Sequence, residues 1–303
     1  MPFIASNGLT EAGTGKTIQA GGMPVHYHDV GRGDPVLFLH SYGPGTTAWI
    51  TFYKTLGVFA EHFRCILMDL PNFSTTGPVV YHEGVHALQA RTAVGLLDAL
   101  GIEQAHWVGN SQGGQSSMVA AIAYPGRVRS FVMGGSHIGT GGDRYLMANR
   151  PSEGNRATRQ ALDDPSRENI RRYLRVHIDD ESLVTDELVD YIHRAHTWSP
   201  EMIEARRQSV SVPHDYTPDL ASIRSPVLLI HGRYDRMVAF EVSIAILNHI
   251  ADSRLVLLNN CGHWPPFEKS AEYAAHVRAV ALGLESLGLR REDTLAIVCG
   301  NRP

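Results

Sequence analysis

Apolar runs of strand length alternate with longer segments of helical period over residues 17–137. Residues 17–30 carry a hairpin-like pattern centred on Gly21-Gly22. The runs at 35–40, 63–70, 105–110 and 128–133 are almost continuously apolar, as strands buried on both faces of a sheet must be. Segments 86–100 and 112–123 fit helices between them. The alternation resumes with strands at 226–231 and 254–258 and helices near 241–250 and 271–284. Strands interleaved with helices predict an α/β fold, with a mainly parallel sheet and helices on both faces.

The pattern breaks between 139 and 222. Gly139, Gly141 and Gly142 open this segment, Pro151 and Pro165 interrupt it, and amphipathic stripes follow: Ile170, Tyr173, Leu174, Val176 and His177, then Leu188, Val189 and Ile192. Thr185 followed by Asp186 and Glu187, and Ser199-Pro200-Glu201, read as helix starts. The expected organisation is a core over 1–138, an inserted helical lid over 139–223, and the rest of the core with a C-terminal tail over 224–303. The tail from 290 onward has no assignment, and no internal repeat is present.

Composition narrows the function classes. Lys and Arg number 27 against 31 Asp and Glu, a net charge of −4, so no footprint for nucleic acid or an anionic membrane is visible. No run approaches the length of a membrane helix, and residues 1–16 lack a secretory pattern. Cys65, Cys261 and Cys299 have no CxxC spacing and make no disulfide framework. The expectation is a cytoplasmic protein with a small-molecule substrate and no cofactor, with a homo-oligomer left open.

Gly109-Asn110-Ser111-Gln112-Gly113 joins a predicted strand to a predicted helix, the context in which a serine sits on a sharp turn as nucleophile. Serine needs a base and an orienting acid. Asp235 follows the strand at 226–231, and His263 follows the strand at 254–258. All three groups therefore arise at the carboxyl ends of strands, where open parallel sheets place ligands. His40-Ser41-Tyr42-Gly43-Pro44-Gly45 closes another strand and nominates an oxyanion hole: the backbone N–H groups of Gln112 and Tyr42, with Gly43 in reserve. Asp69 reads as a turn residue and His40 as a structural one. His26 and His28 share a strand face but lack a third metal ligand, and His193 and His196 lack the HExxH arrangement. Gly13-Thr14-Gly15-Lys16-Thr17 lacks the first glycine of a P-loop and precedes the first strand.

Together these motifs resemble the α/β-hydrolase superfamily over residues 17–286. More narrowly they resemble the meta-cleavage product hydrolases, which cut a carbon–carbon bond in ring-fission products of aromatic compounds. The stretches that carry this are 40–49, Gly109 to Gly114, Cys261-Gly262-His263-Trp264 with Glu268 following, and 168–188 in the insertion. The resemblance implies a Ser111–Asp235–His263 triad, Asn110 facing the oxo-acid end of the substrate, and Trp264 lining the pocket. The sequence also departs from the family. The lid position that usually carries a carboxylate-binding arginine is Ile192, Thr51 stands where an Asn is usual, Ser41 and Tyr42 replace glycines, and Gln112 replaces Met or Leu. Arg175, Arg194 and Arg206 remain as lid cations. An ester or lactone hydrolase with the same triad is the alternative, followed by a cofactor-free oxygenase or lyase, or a small-molecule receptor.

Overall fold

Gly21 and Gly22, at φ 59° and 86°, form the two-residue turn that joins β1 (Gly15–Ala20) to β2 (Met23–Gly31), with Ala20 paired to Met23. Both turn positions need positive φ, which glycine supplies without strain. The computed structural model describes residues 3–137, 152–281 and 296–298. The next elements are β3 (Asp34–Leu39), helix α2 (Ala48–Ala60), β4 (Phe63–Met68), the short β5 (His82–Glu83), α3 (Val85–Ala99), β6 (Ala105–Asn110), α4 (Gln112–Ala123) and β7 (Val128–Gly134), with a one-turn α1 (Glu11–Thr14) ahead of β1.

Four helices stand between β7 and the next strand of the main sheet: α5 (Glu153–Asp163), α6 (Arg167–His177), α7 (Asp186–Thr197) and α8 (Pro200–Gln208). Their starts follow the sequence. Ser152, Ser166, Thr185 and Ser199 each accept a hydrogen bond from a backbone N–H three residues on, and Pro200 occupies the first turn of α8. A two-residue β8 (Val210–Ser211) pairs with β5. Then come β9 (Val227–Gly232), α9 (Glu241–His249), β10 (Ser253–Leu258), α10 (Pro265–Glu268), α11 (Ser270–Ala281) and β11 (Ala296–Val298).

Among the described residues the main sheet has nine strands in the order β1-β2-β4-β3-β6-β7-β9-β10-β11. Only β2 runs against the rest, so the β1–β2 and β2–β4 pairs are antiparallel and the other pairs are parallel. Order reverses across β3, which lies between β4 and β6, so a crevice opens at the carboxyl ends of β3 and β6. Alternate residues of one strand enter different cores: Leu37 and Leu39 pack with α3, α4 and α9, whereas Val36 and Phe38 pack with α2 and α11. The second core continues into the inserted helices through Ile170, Tyr173, Leu188 and Ile192.

Three features differ from the sequence reading. Helix α2 is buried on nearly every face, so it lacks the polar stripe that would have announced it. Asp69 is no turn residue: fully buried, it accepts 2.7 Å hydrogen bonds from the Ala48 N–H at the start of α2 and from His26 Nδ1. The tail contributes an edge strand, since residues 296–298 run parallel to β10. Gly139, Gly141, Gly142, Pro151, the end of the 271–284 segment, most of the tail and Cys299 lie outside the described residues. Cys65 and Cys261 are free and buried.

An arm formed by residues 3–14 fastens α2 to α7. Trp49 Nε1 donates to the Phe3 carbonyl at 3.0 Å, and the Phe3 ring meets both Tyr53 and Tyr191 edge-on. The Tyr191 hydroxyl donates to Glu11 at 2.6 Å and accepts from Thr47, the N-cap of α2, at 2.8 Å. Burial pushes the Glu11 carboxyl up to about 7, against the lowering effect of the Tyr191 hydrogen bond.

Candidate active site

Ser111 sits between β6 and α4 at φ 53°, ψ −116°, a backbone conformation that costs a non-glycine residue on the order of 1–3 kcal/mol. Its neighbours are small for a steric reason. A Cβ at Gly109 would lie 2.3 Å from backbone atoms of Gly113 and Gly114, and one at Gly113 would lie 2.1 Å from the Leu39 carbonyl oxygen. The Ser111 N–H donates to the Gly134 carbonyl at 2.6 Å, and its own carbonyl accepts from Ser136 Oγ at 2.8 Å. The turn is held from both sides by the end of β7.

His263 meets that same strand end. Gly135, at φ 58°, lies so close that a Cβ there would fall 2.9 Å from the imidazole and 3.2 Å from Asp235 Oδ2. The structure therefore gathers Ser111, His263 and Asp235 around Gly134-Gly135. His263 Nδ1 donates to Asp235 Oδ2 at 2.7 Å, and both side chains are buried. Oδ2 also accepts from His231 Nε2 at 3.0 Å, while Oδ1 accepts from the N–H groups of Met237 and Val238 at 2.7 and 2.9 Å. Burial alone would raise the Asp235 carboxyl. The two imidazoles outweigh it, with His263 contributing most, and hold the group well below the usual carboxylate range. An ionised, fully bonded carboxylate fixes the tautomer of His263 with Nε2 free to accept a proton.

Glu268 braces the loop that presents His263. Its carboxylate accepts from the N–H groups of Gly262, Trp264 and Asp179 at 2.8–3.1 Å, which ties the loop to the segment after α6. His177, at the end of α6, adds a carbonyl acceptor for the His263 N–H at 2.7 Å and a ring 5.3 Å from the imidazole. Burial drives the His177 pKa down to about 3, so it stays neutral and adds no charge beside the base. Sequence reasoning placed Glu268 only within a motif and missed His231 and His177. A strand histidine or a helix-end histidine carries no signal of its own.

Gln112 is the first residue of α4, so its N–H lies outside the helical ladder, and it follows Ser111 directly. Tyr42 and Gly43 stand in the loop after β3. A Cβ at Gly43 would be 2.2 Å from the Tyr173 hydroxyl, and one at Gly45 would be 2.1 Å from the Ile192 carbonyl oxygen, so this loop is clamped under α6 and α7. His40 holds its base: Nδ1 donates to the Ser41 carbonyl at 2.7 Å and Nε2 accepts from the Leu70 N–H at 2.9 Å. Asn110 Nδ2 donates to Ser41 Oγ and to the His263 carbonyl, both at 3.2 Å, and so joins three of the loops.

Expected substrate contacts divide into two groups. Ser41, Asn110, Thr51, Trp264 and Ile192 are buried, and Ser111 and Tyr42 are the more open positions at 8% and 36% exposure. Asn110 Oδ1, Gln112 Oε1 and Trp264 Nε1 are buried without a hydrogen-bond partner among the described residues. Thr51 spends its hydroxyl one turn back on the Thr47 carbonyl, at 2.8 Å. Ile192 packs in the core cluster that also contains Tyr173 and Trp264. No group of three or more His, Cys, Asp or Glu side chains suited to a metal occurs among the described residues. There, too, no helix is long and apolar enough to cross a membrane.

A serine on a strained strand-to-helix turn and a carboxylate-held imidazole, both packed beside Gly134-Gly135 at the carboxyl edge of a parallel sheet, define a class of nucleophilic hydrolase folds. The chain belongs to the α/β-hydrolase fold family, whose model matches residues 34–270. It is 35% identical to a 2-hydroxy-6-oxo-6-phenylhexa-2,4-dienoate hydrolase of Comamonas testosteroni, over 82% of this chain and 88% of the relative. It is 34% identical to a 2-hydroxy-6-oxononadienedioate/2-hydroxy-6-oxononatrienedioate hydrolase of Paraburkholderia phymatum, over 87% and 94%. A solved meta-cleavage product hydrolase from Pseudomonas fluorescens superposes with a TM-score of 0.72 at 28% identity, covering 90% of this chain and 98% of that one.

Proposed function

We propose that this protein hydrolyses a carbon–carbon bond in a 2-hydroxy-6-oxo-dienoate, a ring-fission product of an aromatic compound, without a cofactor. The observation that carries the reading is the Asp235–His263 pair at Gly135, next to the Gly134 carbonyl that holds the Ser111 turn. His263, oriented by Asp235, assists ketonisation of the dienol and takes the proton of Ser111 or of a water. The oxygen so activated adds to the ketone carbon. The resulting oxyanion is received by the N–H groups of Gln112 and Tyr42, with Gly43 beside them. Collapse breaks the carbon–carbon bond, and its electron pair settles on the dienoate fragment as a dienolate, which regains a proton from His263; where Ser111 is the attacking group, a water deprotonated by His263 then hydrolyses the acyl-serine, and the proton returns to Ser111. Net consumption is one water, and the products are two acids.

In this reading Ser41, Asn110 and Trp264 shape the oxo-acid end, and the unpartnered polar atoms of Asn110, Gln112 and Trp264 await polar substrate groups. Thr51 and Ile192 are buried and contribute packing, with no polar group of theirs left for the substrate. The inserted helices within residues 152–223 act as a lid over the crevice, and the enzyme works in the cytoplasm.

The test is loss of absorbance of a coloured ring-fission dienoate, with Ser111→Ala as the paired control. Wild type is expected to bleach the substrate and release two acids in equal amounts, and Ser111→Ala to fall to background. Persistence of the colour while a simple aryl ester is cleaved would overturn the carbon–carbon reading in favour of an ester or lactone hydrolase.

A further inference from the structure

Tyr173 on α6 is fully buried, and its phenol ends at the loop that follows β3. Its hydroxyl lies so close to Gly43 that a Cβ there would fall 2.2 Å from the oxygen and 2.8 Å from the ring carbon that bears it. Ser41 and Tyr42 carry side chains, but residue 43 has no room for one because Tyr173 fills the space.

The same side chain reaches toward the base. Its ring packs on His177, one turn further along α6, with centroids 4.2 Å apart, and edge-on against Trp264 at 6.2 Å. His177 Nδ1 donates to the Tyr173 carbonyl at 2.8 Å and its Nε2 accepts from Thr158 Oγ1 at 3.2 Å, so that ring is fixed at both nitrogens. His177 in turn stands 5.3 Å from the His263 ring, and its carbonyl accepts the His263 N–H. One side chain of the inserted helices thus touches the oxyanion loop directly and the His263 loop through His177 and Trp264.

The hydroxyl has no hydrogen-bonding role in the fold. Tyr173 Oη and Thr46 Oγ1 are both buried beside Gly43, and neither has a partner of ordinary geometry among the described residues. Burial raises the phenol pKa well above its ordinary value, so the group keeps its proton. A buried donor without an acceptor lowers stability rather than adding to it. What the hydroxyl does supply is contact, as a rigid stop against the Gly43 backbone.

We propose that Tyr173 is a positioning residue of the active site, a strut on α6 that sets the Gly43 loop against the His263 loop. The inference rests on the reading in which the N–H groups of that loop receive the oxyanion. Without the hydroxyl, Gly43 gains room and the donors beside it lose their aim. Only charge that develops in the transition state is then met less well, so kcat falls and ground-state binding does not. A Tyr173 that merely filled the core would leave turnover unchanged on loss of an unbonded hydroxyl.

The experiment compares wild type, Tyr173→Phe and Tyr173→Leu in the full chain. It measures kcat and KM for dienoate bleaching, thermal melting, and affinity for phenylboronic acid and for acetophenone. Boron takes the Ser111 oxygen while the serine proton passes to His263, which leaves a tetrahedral anion; acetophenone is a neutral, planar ketone of similar size. Tyr173→Phe is expected to melt within about 2 °C of wild type. It lowers kcat about threefold to thirtyfold with KM within about twofold, and weakens the boronate by a similar factor while acetophenone stays within about twofold. Tyr173→Leu, which also withdraws the ring from His177 and Trp264, lowers kcat further and lowers Tm as well. An unchanged kcat in Tyr173→Phe, or equal weakening of boronate and ketone, overturns the strut. If Tyr173→Phe does not fold, the boronate-to-ketone ratio in Tyr173→Leu decides, and an unchanged ratio overturns it. Boronate selectivity that depends on Tyr173 in a protein without dienoate turnover would sink the carbon–carbon reaction and leave the strut standing.

Discussion

Replacing Asp235 with Asn keeps the shape of the acid and changes what it can accept. One carboxylate oxygen receives the N–H groups of Met237 and Val238, and the amide oxygen of Asn can keep both bonds. The other receives His263 Nδ1 and His231 Nε2, and there the amide presents its NH2. His231 retains the Val238 carbonyl as acceptor at 3.0 Å, so its cost is moderate. His263 must turn to the tautomer that carries its proton on Nε2, which can no longer take one from Ser111. Inversion of this kind is worth about four orders of magnitude in kcat, or about 5 kcal/mol of barrier. The fold should survive with a modest fall in Tm. The assay is kcat for dienoate bleaching across pH, alongside thermal melts of both proteins. The sign with pH also follows. Asp235 has a depressed folded-state pKa, so its stabilisation is present above about pH 3.8 and is lost as pH falls through the folded value; Asp235→Asn should lack this acid-limb dependence. Retention of kcat within tenfold of wild type at neutral pH would refute the assignment of Asp235.

Glu268→Gln should lower kcat by about tenfold to a hundredfold while dienoate KM changes little, because the amide cannot accept from Gly262, Trp264 and Asp179 together; an unchanged kcat would show that the His263 loop holds itself. Gly113→Ala should destabilise by about 3 kcal/mol, read as a lower denaturant midpoint, since its Cβ meets the Leu39 backbone and not a movable side-chain end. Ile192→Arg, which the family pattern invites as a gain, should instead lower Tm by several degrees, because the position is fully buried among apolar neighbours; an unchanged Tm with tighter dienoate binding would reverse that view. Burial raises the Asp69 carboxyl, but the His26 hydrogen bond and nearby imidazoles outweigh it and hold the group at about 2, while the same bond raises His26 against its own burial. The wild-type advantage over Asp69→Asn should therefore be largest between about pH 4 and 6.5, near 2 kcal/mol, and shrink as pH falls toward 2. Melts showing the same difference at pH 2.5 and pH 5.5 would contradict this linkage.

What could be read from the chain was set by how each residue's environment writes itself into local pattern. Strands β3, β4, β6, β7, β9 and β10 are largely buried on both faces and appear as nearly continuous apolar runs. Helix α4 follows from its position after the Ser111 turn. Helix α2 is just as buried, and without a polar face its 13 residues show no helical period. The two-glycine turn was legible because only one backbone shape suits it, whereas strand 296–298 is too short to carry a signal. Within the site, Ser111, Asp235 and His263 could be nominated because each stands at a strand end in a recognisable turn. Asp69, His231 and His177 act through partners 4 to 86 residues away in sequence, as in the bonds to His26, Ala48, Asp235 and the His263 N–H, and no window of sequence contains such a pair's geometry. Arg206 was one of three lid arginines that sequence left equivalent; only packing distinguishes it, half-buried over Phe73 and bonded to the Asn72 carbonyl, from the exposed Arg175 and Arg194.

The arm that fastens α2 to α7 also bears on the order of assembly. Glu11 reaches its partner Tyr191 across 180 residues, and Thr47 reaches the same hydroxyl across 144. During synthesis, residues 3–14 emerge long before α7 exists, so their docking surface is completed only after the sheet strands through β7 have been made. Contacts of such sequence separation form late, once loop closure has been paid for by other structure. The arm is thus made early and seated late, a clasp that closes over a core already folded. Cutting residues 3–14 away is expected to leave the sheet and to free the end of the lid that rests on Thr47.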